Sequence, residues 1–439
     1  MESLVHAAVP GEGRTPLATH GGATMALEAR ANLILGFART LFINGQATDQ
    51  VLDSSKHLGR ALELEVEIVP RWGQLQLVDA DGKLLAEVTA DPVGVGMNRV
   101  AALMRAGENA RSGRLAPSAL TELIGSISRM PPASTPLFML AAAAGAVALA
   151  VIFGLRHVAP GVLIAVSAVA GAALRRALAR YTANGFVQPF CAALLAGTIG
   201  ALAAHDGLSS SLRLVAVAPC MILVPGPHVL NAAMDLIKGR IHLGAARALY
   251  AGLIIVTISL GLLLGLAVFG AALPVDPVGR SVPLWEDTIA AGFAVAAYGI
   301  FFAAPLRMLP CPVAVGMLAH ALRWVAISFF GASVTLGALV ACLFVSLVLT
   351  PVSRRWHMPF AAIGFASVVS LMPGVYIFRL SSGLLQIAGG SETTLQAISA
   401  TVSDALTAAT IILAMSFGLI VPKLLIDFFS DRHSPKGAV

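Results

Sequence analysis

The segment LVPGPHVLNAAMDLIKGR, residues 223–240, concentrates polar chemistry in an otherwise apolar region. Pro225, Gly226 and Pro227 do not fit inside a continuous helix, because proline removes an N–H and crowds the preceding turn. A helix restarting near Pro227 would present free backbone N–H groups and a partial positive charge. Such an end suits a carboxylate. Behind it, His228, Asn231 and Asp235 fall at i, i+3 and i+7, on one helical face. Asn231 could bind a polar group, and Asp235 could take up and release a proton. Ionisable groups in apolar helices face the bundle or a pathway. The competing reading pairs Asp235 with Lys238 at the helix end and gives the trio no further role.

A second break, Pro373-Gly374, lies in SLMPGVYIFRL. Tyr376 takes the place of His228 there, and Arg379 that of Asn231. Arg379 could neutralise an anion or mark the membrane interface. Asp404 stands among Ser399, Ser403, Thr407 and Thr410. This is either a proton pathway or a small-residue packing face. His320 reads as structural rather than as a relay, and Glu286 and Asp287 read as an outer boundary or as acids at a helix start. Gly261 and Gly265 form a GxxxG packing face. Cys191, Cys220, Cys311 and Cys342 are far apart in apolar stretches, with no CxxC and no metal-ligand spacing. No HExxH or GxSxG occurs, and GVGMNR lacks the strand–turn–helix setting of a dinucleotide site. Neither metal, cofactor nor catalytic constellation is expected.

The elements that must position these groups follow from composition. Of 439 residues, 57% are hydrophobic and 12% charged, against about 25% charged in soluble domains. This describes an α-helical polytopic membrane protein. The net charge of +6 is read as basic loops on the cytoplasmic side, and no nucleic-acid partner is expected. Apolar runs begin near residue 135, with no signal peptide before them, and recur about ten times up to residue 426. Residues 1–24 read as a disordered tail. Residues 25–132 read as a small cytoplasmic α+β domain in the order helix, helix, three strands, helix, helix, with Asp81-Gly82 as a turn. Residues 427–439 form a cytoplasmic tail. With the domain inside, Lys and Arg concentrate on its side, among them Arg175, Arg176, Lys238, Arg240, Arg354 and Arg355.

The membrane region also repeats. A-x4-L-x-P-G at Ala218–Gly226 recurs at Ala366–Gly374, and the same offset of 148 carries Arg175 onto Arg323. Residues 134–273 and 286–426 thus read as two five-helix units. An odd number per unit inverts the second, as in secondary transporters with a site at the repeat interface.

The whole pattern resembles the threonine/serine exporter family, ThrE. The resemblance rests on ANLILGFARTLFINGQATDQVLDSSKHLG, LVPGPHVLNAAMDLIKGRIHLGAARAL and SLMPGVYIF, with the N-terminal and C-terminal exporter regions fused in one chain. It implies proton-driven export of L-threonine and L-serine across the inner membrane by a multi-pass protein with both termini cytoplasmic. Homo-oligomerisation stays open. Split-chain relatives are linked to dicarboxylate export, so a succinate-like cargo is the alternative. A membrane-anchored sensor or scaffold is the alternative from another class. On the reading of the two breaks given above, Pro225, Gly226, His228, Asn231, Pro373, Gly374 and Tyr376 are the expected substrate contacts. Asp235 and Asp404 are the expected proton carriers.

Overall fold

A computed structural model of the chain describes residues 20–207, 212–273, 282–356, 358–389 and 395–433. The N-terminal part runs α1 (His20–Ile43), α2 (Thr48–Ala61), β1 (Val66–Arg71), β2 (Gly73–Asp79), β3 (Leu84–Ala90), α3 (Met97–Arg111) and α4 (Pro117–Ser128). The strands form one antiparallel sheet in the order β1-β2-β3. Alternation along β2 turns Leu75 and Leu77 into a core shared with Ile34, Phe37 and Leu41 of α1 and Leu103 of α3. The Asp79 carboxylate accepts the N–H groups of Asp81 and Lys83, and Gly82 adopts φ +79°, so the side chain and the glycine fix the Asp81-Gly82 turn. α1 begins at His20, inside the segment read as a tail, while residues 1–19 lie outside the described residues.

Two sets of long apolar helices follow. The first holds α5 (Thr135–Ile152), α6 (Val158–Leu178), α7 (Val187–His205), the pair α8 (Leu212–Met221) and α9 (Gly226–Ile237), and α10 (Ile241–Ala267). The second holds α11 (Leu284–Phe301), α12 (Pro310–Ser328), α13 (Val334–Trp356), the pair α14 (Phe360–Val368) and α15 (Gly374–Ala388), and α16 (Leu395–His433). Among the described residues seven helices are long and apolar enough to span a membrane, or nine if each bent pair is one span. That is fewer than the ten runs of the sequence. α11 is the difference, because Glu286 and Asp287 occupy its first turn. α16 runs through residues 427–433, which the sequence assigns to a tail; residues 434–439 lie outside the described residues.

The two sets pack alike. α7 lies along α10 and α13 along α16, while α5 meets α11 between the sets. The broken helices cross over, α8 touching α15 and α9 touching α14. Gly261 and Gly265 let α10 approach the backbone of α7 at Phe190 and Leu194, the packing face expected of the GxxxG. Gly418 does the same for α16 against α13 at Leu339 and Leu343. The outer faces are apolar, with Leu249, Leu253, Val256 and Leu260 of α10 and Leu406, Leu413 and Phe417 of α16 exposed. In water such a belt would drive aggregation; in a bilayer it is matched by lipid.

The N-terminal domain covers one end of this bundle. The Met97 N–H donates to the Phe302 carbonyl at the end of α11 at 2.9 Å. A cavity of about 570 Å³ lies between Asp53, His57 and Glu108 of the domain and Ser353, Arg354 and Lys423 of α13 and α16.

Candidate functional site

The first break is built as the prolines demand. α8 and α9 are bent by 56° across Ile222–Pro225, with Pro219 inside α8 and Pro225 capping α9. Gly226 sits against the Phe365 ring of α14, where a Cβ has no room. The Met221 carbonyl, freed by the break, accepts the Tyr298 hydroxyl of α11 at 2.7 Å. One expectation fails. The N-terminus of α9 does not offer a row of free N–H groups. Gly226 N–H donates to the Val224 carbonyl at 2.9 Å, His228 N–H to the Pro225 carbonyl at 3.1 Å, and Pro227 has none.

The trio on α9 splits along its length. His228 lines a cavity of about 370 Å³ with Arg175, Pro225, Tyr250, Phe301 and Phe302. Its ring lies 5.4 Å from that of Tyr250. The carbonyls of Pro92 and Val93 approach it without reaching hydrogen-bond geometry. Arg175 lies over the Phe301 ring at 5.0 Å and is in no ion pair among the described residues. Asn231 and Asp235 instead face the N-terminal domain. Asn231 Nδ2 donates to the Gly45 carbonyl at 3.2 Å. Asp235 accepts from Thr48 Oγ1 at 3.1 Å, and pairs with Arg247 of α10 at 2.8 Å and with Arg240 at 3.3 Å. The alternative pairing with Lys238 does not occur, since Lys238 turns to Asp49 of α2 at 3.7 Å. Gly45 reaches the α9 face because it adopts φ +85°, ending α1 in a tight turn.

The second break bends α14 and α15 by 65°, with a 3-10 turn Val369–Leu371 leading into Pro373. Gly374 packs on Met221 of α8. Here the helix start is open: Gly374, Val375 and Tyr376 N–H groups donate to no backbone carbonyl among the described residues, and the first bond is Ile377 N–H to the Pro373 carbonyl at 3.0 Å. Pro373 and Tyr376 line a cavity of about 270 Å³ with Asp287, Arg323, Ser370 and Trp324. Arg323 is in no ion pair among the described residues; it feels Asp287 and Tyr376. Arg379 of α15 pairs with Asp404 of α16 at 3.0 Å, so this acid is neutralised and does not line the cavity.

The cavities open toward opposite ends. The first is bounded by Val93, Val95 and Pro132 from the domain side and by the ends of α6 and α11 on that side. The second is bounded by Ile152 and Phe153 at the far end of α5 and by Ile327 and Ser328 at the far end of α12.

Arg323, Asp287 and Ser370 are not assigned to a site by the sequence, and His320 reads there as structural. Asp287, read as a boundary acid, is buried and bonded to His320 Nδ1 at 2.9 Å, and His320 Nε2 meets the Ser370 hydroxyl. The available signal was an acid and an imidazole placed in apolar runs, each costly there unless partnered. Their pairing joins α11 to α12 and has no spacing to reveal it.

Two family models match the chain. One, ThrE, described as a threonine/serine exporter, covers residues 32–269. The other, described as "Threonine/Serine exporter, ThrE", covers residues 287–425. No curated protein and no solved structure matches it.

Proposed function

We propose that this chain, which belongs to the threonine/serine exporter family, is a secondary transporter that exports small hydroxyl amino acids in exchange for protons. It is a membrane exporter and not an enzyme. On this reading the two helix sets are ten spans in two inverted five-helix repeats. The shared packing of the sets and their crossed breaks support it. The N-terminal domain and both termini lie in the cytoplasm and the bundle in the inner membrane. The basic residues on the domain's side of the bundle support that orientation.

The observation that carries the substrate class is the second cavity. It sets a cation, Arg323, an anion, Asp287, and the hydroxyls of Ser370 and Tyr376 around a space of about 270 Å³. Arg323 and the open N-terminus of α15 would take the substrate carboxylate. Asp287 would take the ammonium, and the hydroxyls the substrate's own hydroxyl. The first cavity presents Arg175, His228 and Tyr250 to the opposite end and would serve the cytoplasmic-facing state. Pro225-Gly226 and Pro373-Gly374 are the hinges between the states. Asn231 and Asp235 hold the domain on α9, and Asp404 fastens α15 to α16. Both acids therefore work as gating ion pairs, each carboxylate held by an arginine of its own helix set.

The test is counterflow of labelled threonine, serine and succinate in proteoliposomes. Threonine and serine are expected to exchange and succinate not. Arg323→Gln should slow threonine exchange by about tenfold or more, a hydrogen bond to a charged group contributing about 1.5–3 kcal/mol. Exchange of succinate without threonine would move the cargo to dicarboxylates. No exchange of any of the three sinks the reading.

A further inference from the structure

We infer that the proton is carried by His320, held between Asp287 and Ser370, and that proton and substrate ammonium compete for Asp287. The inference rests on the exporter reading and names the coupling site within it.

His320 is wholly buried, as are Asp287 and Ser370 nearly so. Its two ring nitrogens are both engaged, Nδ1 by Asp287 Oδ2 at 2.9 Å and Nε2 by Ser370 Oγ. An ionised Asp287 is acceptor-only, so Nδ1 carries the hydrogen and the neutral ring accepts the Ser370 O–H at Nε2. Asp287 and Ser370, but not His320, line the cavity. The serine hydroxyl therefore lies between cavity water and the imidazole. An excess proton carried on that water as hydronium passes to Ser370 Oγ as the hydroxyl's own proton moves to Nε2, leaving neutral water. Ser370 is left as a neutral hydroxyl and His320 as an imidazolium.

The other acids of the bundle are poorly placed for this work. Asp235 is bound by two arginines, and Asp404 by one. Around His320 the charged and titratable groups are Asp287 from α11, Arg323 from α12 itself and Tyr376 from α15 behind Arg323. Glu286 lines a separate groove. α14 carries no ionisable side chain, and the arginines of α13 lie in its last turn. Among the described residues Asp287 is thus the carboxylate lining this cavity, and its hydrogen-bonded partner is an imidazole.

The consequence is exchange. With His320 neutral, Asp287 keeps its negative charge, hydrogen-bonded to Nδ1–H and near Arg323, and can hold a substrate ammonium. With His320 protonated, the imidazolium neutralises it and the ammonium loses its partner. Protonation also turns the Ser370 hydroxyl, because Nε2 then donates instead of accepting. Ser370 stands three residues before Pro373, so the event is felt at the hinge.

The experiment uses the full chain in proteoliposomes and compares pH-gradient-driven threonine uptake with threonine exchange in the absence of a gradient. His320→Gln should lower the ratio of the two by about tenfold or more, the loss typical of removing a positioned proton carrier. Ser370→Ala keeps the Asp287–His320 pair and should lower the ratio in the same direction. An unchanged ratio in His320→Gln that elutes like the parent in size exclusion overturns the inference. Should that variant not fold, an unchanged ratio in Ser370→Ala overturns it. If the parent exchanges threonine but ignores the gradient, proton coupling falls and the exporter reading stands. If the parent exchanges none of threonine, serine and succinate, the exporter reading itself falls.

Discussion

The two broken helices share a backbone device and use it for different ends. Each is a Pro-Gly interruption whose glycine packs on the other set, Gly226 on Phe365 and Gly374 on Met221. Each is followed by a helix ion-paired to the last helix of its set, but with the charges exchanged. The acid is on α9 and the arginine on α10 in one case, Asp235–Arg247. The arginine is on α15 and the acid on α16 in the other, Arg379–Asp404. The polar face of α9 is occupied by the N-terminal domain through Gly45 and Thr48. The start of α15 holds three N–H groups that donate to no backbone carbonyl among the described residues, beside a cavity with Arg323 and Asp287. The two sets thus share the broken helix and differ in the side chains around it: the N-terminal domain packs on one, and a cavity with charged lining lies beside the other.

The sharpest way to break this comparison is to strand each acid. Arg247→Met leaves Asp235 buried with Arg240 as its remaining arginine. Breaking a buried pair by removing one partner costs about 3–5 kcal/mol, and with Arg240 and Thr48 still on Asp235 the loss should fall near the lower figure, read as a fall in thermal stability in detergent. Arg379→Met strands Asp404 likewise, but side-chain exposure there is 10%, against 2% for Asp235. Its loss should be smaller, because residual water shares the charge. Equal losses would mean that burial does not distinguish the pairs.

The hinges come next. Gly226→Ala drives a Cβ into the Phe365 ring, which must move, and overpacking of this kind costs about 1–3 kcal/mol. Gly374→Ala meets Met221, whose Cγ lies at 3.1 Å, and Phe378 at an ordinary contact of 3.8 Å. A methionine side chain can shift by that margin, so the melting temperature should change little. A reversed order would remove the claim that Gly226 is the tighter crossing.

Much of this architecture was legible in the chain. The domain order, the turn at Asp81-Gly82 and both helix breaks follow from periodicity and from proline chemistry, which act within a few residues. The pairing of Pro225-Gly226 with Pro373-Gly374 was legible through one fixed offset. What was not legible is contact between elements far apart in sequence. Asp235 meets Thr48 across 187 residues, and no local rule chooses Thr48 over its neighbours. The same holds for Asp287 with His320. The spacing of His228, Asn231 and Asp235 placed them on one face, but it could not say that the domain lies on the lower part of that face and a cavity beside the upper. Open helix starts are expected at both breaks; among the described residues α15 keeps its own, while at α9 the Val224 and Pro225 carbonyls fold back on the first N–H groups.

The domain contact gives a smaller effect. Thr48→Val removes the hydroxyl that donates to Asp235 and keeps the side chain's shape. A hydrogen bond to a charged group contributes about 1.5–3 kcal/mol, but Arg247 and Arg240 continue to hold this carboxylate. The net loss should fall near the lower figure. Protease cleavage between the domain and α5 would report it, with faster nicking in the variant. No change in nicking would show that Thr48 does not help to dock the domain.

The smallest effect separates two accounts of Asp235. If Lys238 were its partner, Lys238→Ala would leave a buried carboxylate exposed to its own desolvation cost, and stability would drop as in Arg247→Met. Lys238 instead reaches Asp49 at 3.7 Å with 41% of its side chain exposed. Pairs of that kind contribute about 0–1 kcal/mol, and Arg240 already binds Asp49 at 2.6 Å. Lys238→Ala should therefore leave the thermal midpoint and threonine exchange close to the parent, whereas Arg247→Met lowers the midpoint. The ratio of the two effects measures how far Asp235 belongs to α10 rather than to the end of its own helix, and hence whether the charge-exchanged pairs of the two sets are true counterparts.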